Sequence, residues 1–335
     1  MNILVTGGTG YIGSHTVVEL LNNGFDVHIV DNLSNSSVDV LDSIEKITGK
    51  KPAFNKIDLC NYGDVENVIS INRFDGIIHF AAYKAVGESV EHPLMYYKNN
   101  LVSLMNVLEL SDKYGIRNLV FSSSCSVYGE PDYLPVDELA PIKKAMSPYG
   151  NTKQIGEEII HDFIHSNKYK AIALRYFNPI GAHDTALIGE LPINKPNNLI
   201  PIITQTAIGK NKLSVFGNDY HTPDGTCIRD YIHVVDVAKA HLVAVDRLIN
   251  GKNKSPFEIF NLGTGQGNSV LEAIQTFEKV AGVPCPYTLA PRREGDVEKV
   301  FADTSLANRE LGWKAELSFE EAIRSAWKWE QHLNG

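Results

Sequence analysis

Short apolar runs alternate with amphipathic stretches through the first half of the chain. Runs at 3–6, 27–30, 53–57, 76–80, 118–121 and 171–174 are rich in Val, Ile, Leu, Ala and Phe. They are too short for buried helices, and most lack strict alternation, which suits strands covered on both faces. Between them the apolar positions recur at helical spacing. Residues 94–110 place Leu101, Leu104, Met105 and Leu108 on one side, and the stretch from 149 to 163 leads through Ile155, Ile159, Ile160 and Phe163 to Ile164. The alternation predicts an α/β fold with a doubly wound parallel sheet. Both helical stripes are broad enough to cover a sheet and also to face a second subunit. After about residue 178 the alternation breaks. Gly, Pro and Asn become frequent over 178–198 and 217–225, which reads as long functional loops. Helical patterns at 199–209, 234–249, 270–281 and 318–331 predict a smaller mixed α/β part.

Composition adds exclusions. The 335 residues are 43% hydrophobic and 21% charged, enough for one large or two closely packed domains. The formal net charge is -9, which argues against nucleic-acid or anionic-membrane partners and requires a local cationic pocket for any anionic ligand. No apolar run reaches transmembrane length, and the N-terminus reads as a strand, not a signal peptide. Cys60, Cys125, Cys227 and Cys285 are scattered, with no CxxC pair, which fits reduced thiols and a cytoplasmic location.

A glycine turn follows the first strand: Gly7-Gly8-Thr9-Gly10-Tyr11-Ile12-Gly13. In a strand–turn–helix unit, Gly7 permits the tight turn, Gly10 lets backbone approach a pyrophosphate, and Gly13 lets the helix pack closely. The helix N-terminus then offers free N–H groups and a positive dipole end. Asp31 ends the second strand, where a carboxylate accepts both adenosine ribose hydroxyls and repels a 2′-phosphate, favouring NAD over NADP. Asp58 could meet the adenine, or simply turn the chain. The expected organisation is a Rossmann-type NAD-binding domain over 1–177 and a mainly substrate-binding part over 178–335, some of whose segments return to the first.

Tyr149 and Lys153 lie four apart where a helix begins, in Ser147-Pro148-Tyr149-Gly150-Asn151-Thr152-Lys153. That spacing puts both on one helix face. At roughly 4 Å and an effective dielectric of about 20, an ammonium would stabilise a phenolate by about 4 kcal/mol. That is enough to bring a phenol from about 10 to near neutral pH, where a general base works best. His161 and His165 share an i,i+4 spacing, but no Glu or third ligand completes a zinc motif, so no metal is expected.

The glycine turn and the Tyr-x-x-x-Lys pair resemble the extended short-chain dehydrogenase/reductase superfamily. Ser124 closes the fifth strand in Ser122-Ser123-Ser124, at the sheet edge where ligands bind. Longer motifs narrow the match: Asn32-Leu33-Ser34-Asn35-Ser36, Lys84-Ala85-Val86-Gly87-Glu88-Ser89-Val90, Arg175-Tyr176-Phe177-Asn178-Pro179, Phe216-Gly217-Asn218-Asp219-Tyr220, Arg229-Asp230-Tyr231-Ile232-His233 and Ala290-Pro291-Arg292-Arg293-Glu294-Gly295-Asp296. In this order, and across nearly the whole chain, they resemble the UDP-galactose 4-epimerases.

The resemblance implies interconversion of UDP-glucose and UDP-galactose. Tyr149 would take the 4′-hydroxyl proton directly or through Ser124, while bound NAD accepts and returns the hydride. Lys153 would charge the site and hold the nicotinamide ribose. By the same resemblance, the cofactor would also be held by Gly7, Gly10, Tyr11, Ile12 and Gly13, by Asp31, Asn32, Asn35 and Ser36, and by Asp58 and Leu59. Phe80, Ala81, Lys84, Asn99, Ser122 and Phe177 complete that set. Arg229 and Arg293 would bind the diphosphate, unless they are structural ion pairs, and Asp296 the uridine ribose. Asn178, Asn198, Leu199, Ser214, Phe216, Tyr231 and Val270 would line the nucleotide-sugar pocket with Lys84, although Phe216 and Tyr231 could equally be core aromatics. A homodimer is implied as well.

Two departures bear on the chemistry. Related 4,6-dehydratases carry an Asp-Glu pair after the serine; here Cys125 and Ser126 stand there, which disfavours dehydration. Val300 stands where hexose-restricted members often carry tyrosine, so acceptance of UDP-GlcNAc and UDP-GalNAc is expected, unless a neighbouring side chain fills the space. A non-catalytic NAD- or nucleotide-sugar-binding protein is the remaining alternative; such relatives usually lose the tyrosine or lysine.

Overall fold

The structure, a computed structural model, describes residues 1–166, 168–192, 196–293 and 296–335. Glu294 and Gly295 of the arginine motif lie outside the described residues. The first half alternates as the pattern predicts: β1 (Asn2–Thr6), α1 (Tyr11–Asn22), β2 (Asp26–Asp31), α2 (Val40–Thr48), β3 (Ala53–Lys56), α3 (Tyr62–Ile71), β4 (Gly76–His79), α4 (Val86–Glu91), α5 (Pro93–Tyr114), β5 (Asn118–Ser124), α6 (Pro148–Ser166) and β6 (Lys170–Tyr176). The second half runs β7 (Asn178–Ile180), α7 (Leu199–Ala207), β8 (Leu213–Phe216), β9 (Ile228–Arg229), β10 (Tyr231–His233), α8 (Val234–Ile249), β11 (Phe257–Leu262), β12 (Asn268–Ser269), α9 (Val270–Ala281), β13 (Tyr287–Ala290), β14 (Lys299–Val300) and α10 (Phe319–Asn334).

Seven strands form one parallel sheet in the order β11-β6-β5-β4-β1-β2-β3. Successive connections run outward in opposite directions from β1 and β4. That reversal opens a crevice at the carboxyl ends of these two strands, the usual ligand site of such sheets. Val17 and Leu20 of α1, Ile44 of α2, and Val237, Ala244 and Val245 of α8 pack on one face. Val65 and Ile69 of α3, Leu104 and Leu108 of α5, and Ile160 and Ile164 of α6 pack on the other. A further core joins α7, α9 and α10 through Ile203, Phe277 and Ile323. Capping boxes start α9 (Ser269 with Glu272) and α10 (Ser318 with Glu321), satisfying N–H groups at each helix start.

The structure differs from the sequence expectation in three ways. β5 and β6 run beyond the apolar runs, because Ser122, Ser123 and Tyr176 are buried and continue the ladder. The strands expected over 53–57 and 76–80 stop at Lys56 and His79. The seventh strand, β11, falls in the stretch that looked irregular. Its Phe257, Glu258 and Ile259 are only half-buried at the sheet edge, so the polar interruption masks the strand. With α8, it returns to the first sheet.

Candidate active site

Gly7 has φ +69, which favours glycine, and a Cβ there would lie 2.8 Å from Ala81 N. At Gly13 a Cβ would sit 2.2 Å from Gly7 O, so α1 can start against the turn only with glycine. Gly10 is the N-cap, with no side-chain cap and no acidic residue in the first turn. The start of α1 therefore keeps its donors and its positive end for a ligand. At the end of β2, Asp31 accepts from Leu33 N at 2.9 Å, from Thr9 N at 3.3 Å and from Ser36 Oγ at 3.3 Å. Thr9 and Ser36 also join hydroxyls at 2.7 Å. One carboxylate thus ties the glycine turn to the Asn32–Ser36 loop, in which Asn35 is exposed. Phe80 and Ala81 extend from β4 beside the same turn, with Ala81 N donating to Thr6 Oγ1.

Ser124 ends β5 in the same crevice and Tyr149 opens α6. Ser124 is buried, and its Oγ accepts from Ser126 N at 3.2 Å and Ser126 Oγ at 2.9 Å. It also lies close enough to the Tyr149 phenol to favour its ionised form. Lys153 is buried and donates to Ser122 O at 2.6 Å; its Nζ lies 6.0 Å from the Tyr149 ring centre and 5.0 Å from that of Phe121. Ser122 Oγ meets the Tyr176 hydroxyl. The three residues are therefore brought together, but the electrostatics correct the expectation. Burial pushes the Tyr149 phenol up to about 12, with the neighbouring Ser124 hydroxyl pulling the other way. Burial also brings Lys153 down to about 8, opposed by Glu157 one turn further along α6. Desolvation outweighs the pairing that spacing alone suggested.

The second half closes the crevice. Asn178 starts β7 with its Oδ1 buried and without a partner among the described residues. Asn198 stands at the N-cap position of α7, makes no capping bond, and donates to Glu190 Oε1 at 2.5 Å; Lys84 Nζ lies 3.0 Å from the same oxygen. Lys84 Nζ also lies 5.6 Å from the Tyr11 ring centre, and Tyr11 donates to Gly181 O at 2.6 Å. Arg229 in β9 is 3.9 Å from Asp296, which takes a two-pronged bond from Arg293 at 3.2 and 2.7 Å. Arg293 lies 5.6 Å from the ring of Phe216, which is exposed. Tyr231 is buried and stacked on Phe319, so the core reading applies to it and not to Phe216. Val300 pairs with Arg229 in the small sheet and is buried beside Phe177 and Ala302.

Several expected residues lie in the scaffold around these groups. Leu59 and Phe177 are buried in hydrophobic clusters, and Val270 packs at the start of α9. Asp58 is exposed and accepts from Cys60 N at 2.8 Å, the geometry of a turn residue. Asn99 donates to Asn100 Oδ1 at 2.9 Å. Ile12 packs on the sheet, Leu199 starts α7, and Ser214 pairs with Thr288 in β13.

Sequence reading missed two carboxylates. Asp230 is fully buried; it takes Thr264 N, Gly265 N and Ala302 N at 2.8–3.1 Å and fixes the strands that present Arg229 and Tyr231. Glu190 gathers Lys84 and Asn198. The one signal for Glu190 is its place as the lone Glu in the Gly/Pro/Asn-rich stretch 178–198. Among the described residues, no group of His, Cys, Asp and Glu could hold a metal.

Known proteins share this fold and much of this sequence. Residues 4–326 match a family model described as GDP-mannose 4,6 dehydratase. The chain is 49% identical to the UDP-glucose 4-epimerase of Bacillus subtilis, over 100% of this chain and 98% of the relative. A UDP-glucose 4-epimerase from Stenotrophomonas maltophila with bound NAD and formylated UDP-arabinopyranose superposes with a TM-score of 0.96 at 47% identity, over 100% of this chain and 99% of that one. Another, from Bifidobacterium longum in complex with NAD+ and UDP, gives a TM-score of 0.95 at 45% identity, over 99% and 98%. Where the dehydratases of the wider superfamily carry acids, this chain has Cys125 and Ser126, and burial pushes the Cys125 thiol up to about 12. The chain belongs to the UDP-glucose 4-epimerases, within the extended short-chain dehydrogenase/reductase superfamily.

Proposed function

We infer that this protein interconverts UDP-glucose and UDP-galactose with NAD as its cofactor. The observation that carries the reading is the Ser124, Tyr149 and Lys153 group set beside a glycine turn at the crevice of the sheet. The residues fit the cofactor: Gly7 and Gly13 have no room for a Cβ, the start of α1 is uncapped, and Asp31 stands at the end of β2. Gly7, Gly10 and Asp31 would hold the dinucleotide, with Lys153 toward the nicotinamide ribose. Bound NAD supplies a reversible hydride acceptor for sugar carbon 4, so the reaction involves no net oxidation.

Tyr149 takes the proton of the 4′-hydroxyl, directly or through Ser124, and later returns it. Ser124 can relay because a hydroxyl both donates and accepts. Lys153 steadies the phenolate that forms. Its worth grows in a water-poor crevice, where charges are less screened. Arg229 and Arg293 face the diphosphate, whose oxygen pairs match planar guanidinium forks. Asp296, now holding both arginines, turns to the uridine ribose. The bare Oδ1 of Asn178 supplies a buried acceptor for a substrate donor. Purified protein given UDP-glucose should form UDP-galactose on nucleotide-sugar chromatography. Formation of a 4-keto-6-deoxy product, or binding without product, would reject this assignment.

We propose that the enzyme also interconverts UDP-GlcNAc and UDP-GalNAc. Valine at position 300 has a much smaller volume than the phenol of hexose-restricted relatives. Space permits but does not create affinity. No detectable turnover of UDP-GlcNAc at high enzyme concentration would sink the idea. Otherwise Val300→Tyr should abolish the N-acetyl activity and spare the hexose activity.

The same reading assigns 1–177 to the cofactor and 178–335 mainly to the nucleotide sugar, with α8 and β11 returning to the cofactor sheet. It places the protein in the cytoplasm, in keeping with four free cysteines. Among the described residues, no helix is long and apolar enough to cross a membrane. It also makes the protein a homodimer, with Leu94, Met95 and Met105 of α5 exposed for a second copy. Sedimentation should give twice the chain mass, and Met105→Asp should shift it toward the monomer.

A further inference from the structure

We propose that Glu190 is a positioning residue of the reaction, acting through Lys84 and Asn198. One oxygen, Oε1, receives both Lys84 Nζ at 3.0 Å and Asn198 Nδ2 at 2.5 Å. Lys84 comes from the loop after β4, in the first half of the chain; Asn198 is the N-cap of α7, in the second. The carboxylate therefore fastens a donor from each half at one point. Its own backbone is fixed: Glu190 O accepts from the indole of Trp329 at 2.9 Å, and a Cβ on the preceding Gly189 would lie 2.5 Å from that indole. The side chain is 13% exposed and Lys84 45%, so the carboxylate is the buried anchor and the lysine is the reaching partner.

The arrangement serves the reaction for two reasons. Lys84 is a flexible ammonium, and a fixed acceptor limits the directions it samples. Asn198 carries an amide whose free oxygen is aimed once its nitrogen is held. The inference rests on the reading that Lys84 and Asn198 face the hexose. Glu190 then acts on the sugar end of the ligand and leaves the nucleotide end to Arg229, Arg293 and Asp296.

The test separates those ends. In Glu190→Ala, KM for UDP-glucose should rise about tenfold, as expected for loss of a charge-assisted hydrogen bond. The Kd for UDP alone, measured by calorimetry, should stay within about twofold. Glu190→Gln keeps an acceptor oxygen and should recover part of the loss. Lys84→Met should raise KM in the native background and change it little in Glu190→Ala, because coupled residues are not additive. Unchanged KM in Glu190→Ala would overturn the proposal. So would equal loss of UDP and UDP-glucose affinity, which marks a merely structural role. If Glu190→Ala does not fold, Glu190→Gln carries the same comparison. If Lys84→Met and Asn198→Ala both leave the KM for UDP-glucose unchanged, the placement of the sugar beside them fails, and the role of Glu190 falls with it.

Discussion

At the scale of single residues, Tyr149 shows two effects that sequence spacing cannot weigh. The i,i+4 pair with Lys153 is a local fact, and it survives in the structure. Burial is a property of the whole fold, and it pushes the phenol up to about 12 and the ammonium down to about 8. The phenolate fraction grows as pH rises toward 12, while the ammonium that supports it is lost as pH rises through about 8. Native turnover should therefore rise up to about pH 8 and level off above it, since the two changes then cancel. In Lys153→Met the plateau should vanish, and activity should keep climbing with pH from a level about a hundredfold lower. Steady-state rates from pH 6 to 10 check this. Tyr149→Phe should lower kcat by about 10²–10⁴-fold and leave the Kd for UDP nearly intact. The placement of the glycine turn, Asp31, Ser124 and the Tyr–Lys pair at one crevice was legible because each closes a strand or opens a helix within a short contiguous motif. Glu190 and Asp230 were not, since Lys84 lies 106 residues from Glu190 and Thr264 lies 34 from Asp230.

The elements show a similar division. β1, β2, β4, β5 and β6 were readable from their apolar runs, since both faces of the sheet are covered there, whereas β3 lies mostly exposed at the edge. β11 escaped because an edge strand carries Glu258 and Asn261 within its apolar run. The glycine turn makes a sharp demand on the β1–α1 unit. Gly13→Ala should destabilise the protein by about 1–3 kcal/mol through overpacking and should weaken binding of the dinucleotide. Gly87→Ala in α4 meets nothing within 4 Å and should be tolerated. Paired thermal melts and cofactor titrations of the two variants check the contrast.

The whole molecule carries an acid-sensitive core. His15 and His79 are held near 3, and His233 and His241 near 4, all by burial. Their folded values lie below the ordinary value of about 6.5, so the unfolded chain binds protons first as pH falls. Their contribution to stability is full above about 6.5 and is lost as pH drops toward 4, by up to about 1.4 kcal/mol per pH unit for each group. Urea midpoints should therefore fall between pH 7 and pH 5, and a flat profile would contradict this. The central claim concerns catalysis by the intact molecule, and an approach to equilibrium from both sides tests it most directly. Separate reactions begun from pure UDP-glucose and pure UDP-galactose should converge on the same mixture of the two. Failure of either sugar to yield the other, with the cofactor bound, would contradict the account.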